Sequence, residues 1–117
     1  MKENENIEEI DWNIKENDQL LSAFLILKNK DEAGRFLRDL MTRSEIEEFA
    51  NRLETARLLS RDVQYLAIIE KTGLSSTTIA RISKWLKGPL GGYRIVINKM
   101  HHTHSQNNTG KGLSLHS

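Results

Sequence analysis

Apolar positions recur along most of this chain at spacings of three and four, the period of an amphipathic helix. Leu20, Leu21, Phe24, Leu25 and Leu27 make the first such stripe. It predicts a helix that Asn17 or Asp18 caps and that ends at Asn29 and Lys30. Phe36, Leu37 and Leu40 predict a second, short helix, which Asp31 can cap and Gly34 weakens. Thr42 and Glu45 have capping-box spacing, in which the Thr hydroxyl accepts from a backbone N–H and the Glu side chain reaches back. They open a third helix, reaching about Leu59, with Ile46, Phe49, Ala50, Leu53, Ala56 and Leu59 on its apolar side. Ser60, Arg61 and Asp62 break that pattern. A helix over Val63–Lys71, a turn at Thr72, Gly73 and Leu74, and a helix from Ser75 to about Lys87 follow. Gly88, Pro89, Leu90, Gly91 and Gly92 end the helical part. Tyr93–Ile97 reads as β-prone, although a lone strand cannot stabilise itself. The fold class is therefore all-α, in three parts: an acidic disordered arm over 1–16, a helical domain over 17–90, and a short apolar segment with a disordered basic tail over 91–117.

The segment about 63–87 has helix-turn-helix spacing. Gly73 allows the positive φ that a tight turn between crossing helices needs. Leu74 can plug the space beneath the turn, and Ser75 can cap the next helix. Ile79 and Ile82 then point to the core, opposite Leu66, Ile68 and Ile69. Ser76, Thr77, Ala80, Arg81 and Lys84 are left facing outward. Those side chains suit a major groove: short hydroxyls permit close approach, Ala80 can touch a thymine methyl, and Arg81 can reach a guanine. Ser76, Thr77, Ala80 and Arg81 are the candidate base readers. One position departs from the usual pattern, since bulky Ile69 stands where a small residue is common at the helix crossing. A merely structural helical hairpin has some of the same signal.

Charge supports a polyanion partner through its distribution, not its total of +1. Residues 1–18 hold seven acids against Lys2 and Lys15, whereas residues 57–87 hold six bases against Asp62 and Glu70. Arg57, Arg61, Ser75, Lys84 and Lys87 are the candidate phosphate contacts, and double-stranded DNA is the expected partner. A solvated helix surface is the competing reading of these charges.

Other chemistries find little footing. There is no cysteine, so no disulfide and no cysteine metal site. The longest apolar run, Ala23–Leu27, is far too short for a bilayer, and the acidic start has no signal-peptide pattern. A cytoplasmic location without membrane contact is expected. His101, His102, His104 and His116 have no acid or thiol beside them to close a metal site, so no metal and no cofactor are expected. Glu45, Glu47, Glu48 and Glu54 read as the solvent side of a helix, and no nucleophile–base pair or phosphate loop accompanies them. No catalytic residue, and no enzyme, is expected.

From Leu40 to Pro89 the chain resembles the Trp repressor superfamily, and within it the YerC/YecD branch. The residues that carry the likeness are DLMTRSEIEEFANRLE over 39–54, Leu58 and Leu59, TGLSSTTIARIS over 72–83, and Gly91, Gly92 and Tyr93. The resemblance implies an intertwined homodimer whose two reading helices enter successive major grooves, hence a roughly palindromic operator and a role as transcriptional repressor. It also implies an effector pocket for free tryptophan, in which Thr42, Arg52 and Arg81 match the family's pocket residues. Two matching positions differ: Ile82 replaces a glycine that leaves room for the ligand, and Trp85 replaces a small serine. The expectation is a plugged, vestigial pocket and no response to free tryptophan. Trp85 can equally be an ordinary packing aromatic, and Arg52 has a competing partner in Glu48 one turn earlier. The alternative function is a helical dimer that meets a protein partner and reads no specific DNA.

Overall fold

The computed structural model describes residues 9–110, with side chains through Thr103. Its order is α1 (Lys15–Leu25), α2 (Lys30–Leu40), α3 (Arg43–Ser60), α4 (Tyr65–Thr72), α5 (Ser76–Lys87) and α6 (Gly92–Gly110). The chain forms two compact units, Met1–Arg43 and Ser44–Ser117.

In the first unit the helix starts are set differently from expectation. α1 begins at Lys15 after Ile14, with no side-chain cap from Asn17 or Asp18. The turn at Asp11 organises its entry instead: the Asp11 carboxylate accepts from the Asn13 N–H at 2.9 Å, and the Asn17 amide donates to the Asp11 carbonyl at 3.0 Å. α1 ends at Leu25, short of Asn29. Asn29, not Asp31, caps α2, accepting from the Glu32 N–H at 2.9 Å. Glu32 reaches back to accept from the Lys28 N–H at 3.0 Å, which satisfies a second orphan donor. Phe24 and Phe36 join the two helices edge to face, with ring centroids 5.7 Å apart. Neither helix buries any residue. Leu20, Leu21, Phe24, Leu25, Ile26 and Leu40 all remain open, Leu25 at 84% exposure and Ile26 at 73%.

The second unit holds the core, in two clusters. Ala56, Ile82 and Leu86 form one, with Leu59, Leu74, Tyr93 and Ile97 packed on it. Leu58, Ile68 and Ile79 form the other, with Leu59, Val63, Ile69 and Leu74 around them. Leu59 and Leu74 belong to both, so α3, α4 and α5 share a continuous apolar interior. Ile69 packs into the second cluster, so the crossing accommodates its bulk. α3 leaves through a tight reversal in which Asp62 takes φ 64° and the Val63 N–H donates to the Leu58 carbonyl at 3.0 Å. The Thr55 hydroxyl of α3 is buried with no hydrogen-bond partner among the described residues.

The largest departure from the sequence reading is α6. Tyr93–Ile97 is helical, not a strand, and the helix continues to Gly110 where a disordered tail was expected. Residues 111–117, the rest of that tail, and residues 1–8 of the acidic arm lie outside the described residues. The β-preference of Ile95, Val96 and Ile97 is overridden by packing: Tyr93 and Ile97, four apart, lie together on the Ile82–Leu86 cluster.

Glu54 also departs from expectation. It is half-buried and not a solvent-side acid, and it binds two cations at once: Arg57 Nε at 2.9 Å and Lys71 Nζ at 3.2 Å. This cluster ties α3 to α4. The hydrogen bond from Arg57 holds the Glu54 carboxyl below the usual carboxylate range, although burial opposes it. A lowered folded-state pKa contributes stability above the unfolded carboxylate pKa, and that stability is lost as pH falls through the folded value. Unfolding measured from neutral pH downward should therefore lose stability in the acid limb. Glu54→Gln should flatten that limb, and an unchanged acid limb would show that the cluster contributes nothing.

Candidate nucleic-acid interface

The turn between α4 and α5 is built from three local devices. Gly73 closes α4 at φ 77°, ψ 3°, and its N–H donates to the Ile69 carbonyl at 2.8 Å. An added Cβ would meet nothing within 4 Å, so glycine serves the left-handed backbone here and not the space. Thr72 steadies the same turn: its hydroxyl donates to the Ile68 carbonyl at 2.8 Å and accepts from the Leu74 N–H at 3.2 Å. Ser75 caps α5, accepting from the Thr78 N–H at 3.1 Å and donating to the Thr78 hydroxyl at 3.0 Å. Sequence reasoning anticipated the cap but missed Thr78 as its second partner. Thr78 stands at the capping-box position, where Glu or Gln is the usual signal.

α5 is thereby held with one face in and one face out. Ile79, Ile82 and Leu86 are buried. Ser76, Thr77, Ala80, Arg81, Lys84 and Lys87 are all exposed. Helical spacing places these six on one continuous arc, with the hydroxyls at the N-terminal end and the cations toward the C-terminal end. The last turn carries Lys84 and Lys87. Arg61, in the turn after α3, is exposed as well. Among the described residues, no carboxylate pairs with Arg61, Arg81, Lys84 or Lys87.

Other sequence candidates sit differently. Arg57 spends its guanidinium on Glu54, which raises its pKa further through that hydrogen bond. Ser75 has given its hydroxyl proton to Thr78. Arg52 pairs with Glu48 at 3.0 Å and lies over the Phe49 ring at 5.5 Å, the competing arrangement for that residue. Burial pushes the Tyr93 phenol up, with the Arg52 charge pulling the other way. Thr42 is exposed and immediately precedes α3. Ile82 is fully buried, whereas Trp85 lies at the edge of the buried face, 36% exposed. The structure thus fills the position of Ile82 but leaves the Trp85 indole half in solvent. The His101 and His102 rings are exposed, 6.3 Å apart. Among the described residues no group of three His, Asp or Glu could hold a metal ion, and no helix is long and apolar enough to cross a membrane.

Comparison with known proteins agrees with this architecture. The chain is similar to the uncharacterized protein YerC of Bacillus subtilis strain 168, 36% identical over 95 residues, covering 81% of this chain and 91% of that one. The fold is similar to that of a TrpR-like protein from Eubacterium eligens, with TM-score 0.73 and 37% identity over 77% of this chain and 93% of that one. A solved structure from Staphylococcus aureus is similar at TM-score 0.70 and 27% identity, covering 86% of this chain and 96% of that one. The family described as Trp repressor protein matches residues 15–101. With its helix-turn-helix and its outward cationic face, the chain belongs to the Trp repressor family, a family of DNA-binding regulators and not of enzymes.

Proposed function

We propose that this protein is a homodimeric repressor that occupies a roughly palindromic operator and reads it with α5. The observation that carries this reading is the exposed arc of Ser76, Thr77, Ala80, Arg81, Lys84 and Lys87 on a helix whose opposite face is buried. Hydroxyls and a methyl at the N-terminal end suit base edges, and the cations suit base or phosphate. Arg61, Lys84 and Lys87 supply sequence-independent attraction, while Ser76, Thr77, Ala80 and Arg81 supply preference. The open apolar side chains of α1 and α2 support dimerisation, because neither helix buries a residue of its own. Two reading helices about 34 Å apart then meet successive major grooves.

Free tryptophan is not the switch in this reading. Ile82 occupies, with a buried side chain, the position where the resemblance implies a ligand-admitting glycine. Arg52 is engaged by Glu48.

The experiment is selection of bound duplexes from a random pool, followed by Arg81→Ala. A palindrome should emerge from the selection. The variant should lose about 1–3 kcal/mol of discrimination at one base position of each half-site. A uniform loss across sequences would remove Arg81 from base reading. A pool with no enrichment would favour a protein-binding module.

A further inference from the structure

The C-terminal end of α5 is held by a side chain from the next helix. α5 stops at Lys87, and the chain leaves through Gly88 in an extended conformation, φ −79° and ψ 178°. Pro89 follows and has no N–H to offer. The Gly88 N–H donates to the Trp85 carbonyl at 3.1 Å, and the Leu86 and Gly88 carbonyls take donors from elsewhere. Arg94 provides them: its Nη1 donates to the Leu86 carbonyl at 2.6 Å and to the Gly88 carbonyl at 2.9 Å. A guanidinium at a helix C-terminus also sits on the favourable side of the helix dipole. Gly91 makes the reach possible. It is buried at φ +73°, and a Cβ there would lie 3.0 Å from Arg94 Nη2. Tyr93 and Ile97 meanwhile pack on Ile82 and Leu86. The pairing of α5 with α6 thus has an apolar contact at the Ile82 and Leu86 cluster and a charge-assisted bond pair at the helix end.

We propose that Arg94 is a positioning residue for DNA reading: it fixes the end of α5, and so the aim of Arg81 and Lys84, without itself contacting nucleic acid. This rests on the reading that α5 meets DNA. A base contact needs donors placed to a fraction of an ångström, and a small tilt of the C-terminal turns of α5 about its buried Ile79 moves Arg81 and Lys84 by that much. A phosphate contact from a long flexible Lys tolerates that swing. Losing Arg94 should therefore cost sequence preference and spare general affinity.

The test uses the full chain with a selected duplex and a scrambled duplex of equal length, over a salt series. Arg94→Lys keeps the charge but replaces the planar guanidinium with a compact ammonium of shorter reach. Arg94→Gln removes the charge. Both should lose about tenfold in preference for the selected duplex, with affinity for the scrambled duplex and the salt slope unchanged. Far-UV circular dichroism identifies folded variants, and either Arg94 variant that folds decides the matter. Wild-type preference in a folded variant would overturn the proposal. So would retention in Arg94→Lys with a flatter slope in Arg94→Gln, the signature of a direct phosphate contact. A wild-type chain that binds neither duplex would bring down the DNA reading first, and this proposal with it.

Discussion

Ile82→Gly is expected to lower the unfolding free energy by about 3–6 kcal/mol, combining a large-to-small core substitution with a mid-helix glycine. The side chain is fully buried in a cluster that includes Ala56 of α3, Leu86 of α5 and Tyr93 and Ile97 of α6, so its removal leaves a cavity there. A small domain has about 5–15 kcal/mol in total, so the loss approaches the whole. Ile82→Val, which keeps the branch at Cβ, should cost only about 0.5–1.5 kcal/mol. Denaturant unfolding of the two variants checks the pair, and a cost below about 1 kcal/mol for the glycine variant would show that Ile82 is not a core residue. The same burial predicts no heat on titrating the wild-type protein with L-tryptophan. Micromolar binding would overturn the filled-gap reading.

Affinity for duplex DNA is expected to fall by about three orders of magnitude between 50 and 200 mM salt. Arg61, Lys84 and Lys87 are exposed, and no carboxylate of the described residues holds them. In a dimer they amount to about six phosphate contacts, each releasing roughly 0.9 counterion, for a slope near −5. Changing both Lys84 and Lys87 to Gln should reduce that slope to roughly a third of its wild-type value. A wild-type slope shallower than about −2 would contradict this account, since the exposed arc would then be meeting something other than a phosphate backbone.

The parts of this molecule that were legible in its sequence are those made by local chemistry. Gly73, Leu74 and Ser75 specify a left-handed residue, a plug and a cap within three positions, and each is found in that role. The inward Ile79 and Ile82 followed from helical period alone. What escaped depends on contacts between elements. Tyr93–Ile97 is β-prone by propensity, and only its seat on α5 makes it a helix. Arg94 stands among β-branched residues and gives no sign that it will reach back to carbonyls six and eight residues earlier. Glu54 read as surface because most acids are. Its second cation, Lys71, comes from α4, a contact between elements that spacing within α3 does not show. The start of α1 at Lys15 and the cap of α2 at Asn29 escaped for a smaller reason: several capable residues stood close together, and backbone entry chose among them.

α5 spans both apolar clusters, with Ile79 in one and Ile82 and Leu86 in the other. It cannot unwind without opening the interior it shares with α3 and α4. The helix that would meet a duplex is therefore ordered before the encounter, and its conformational entropy is lost on folding instead of on contact. Association then proceeds as the collision of two preformed surfaces, at a rate set by diffusion and by long-range attraction between the helix's cations and the polyanion.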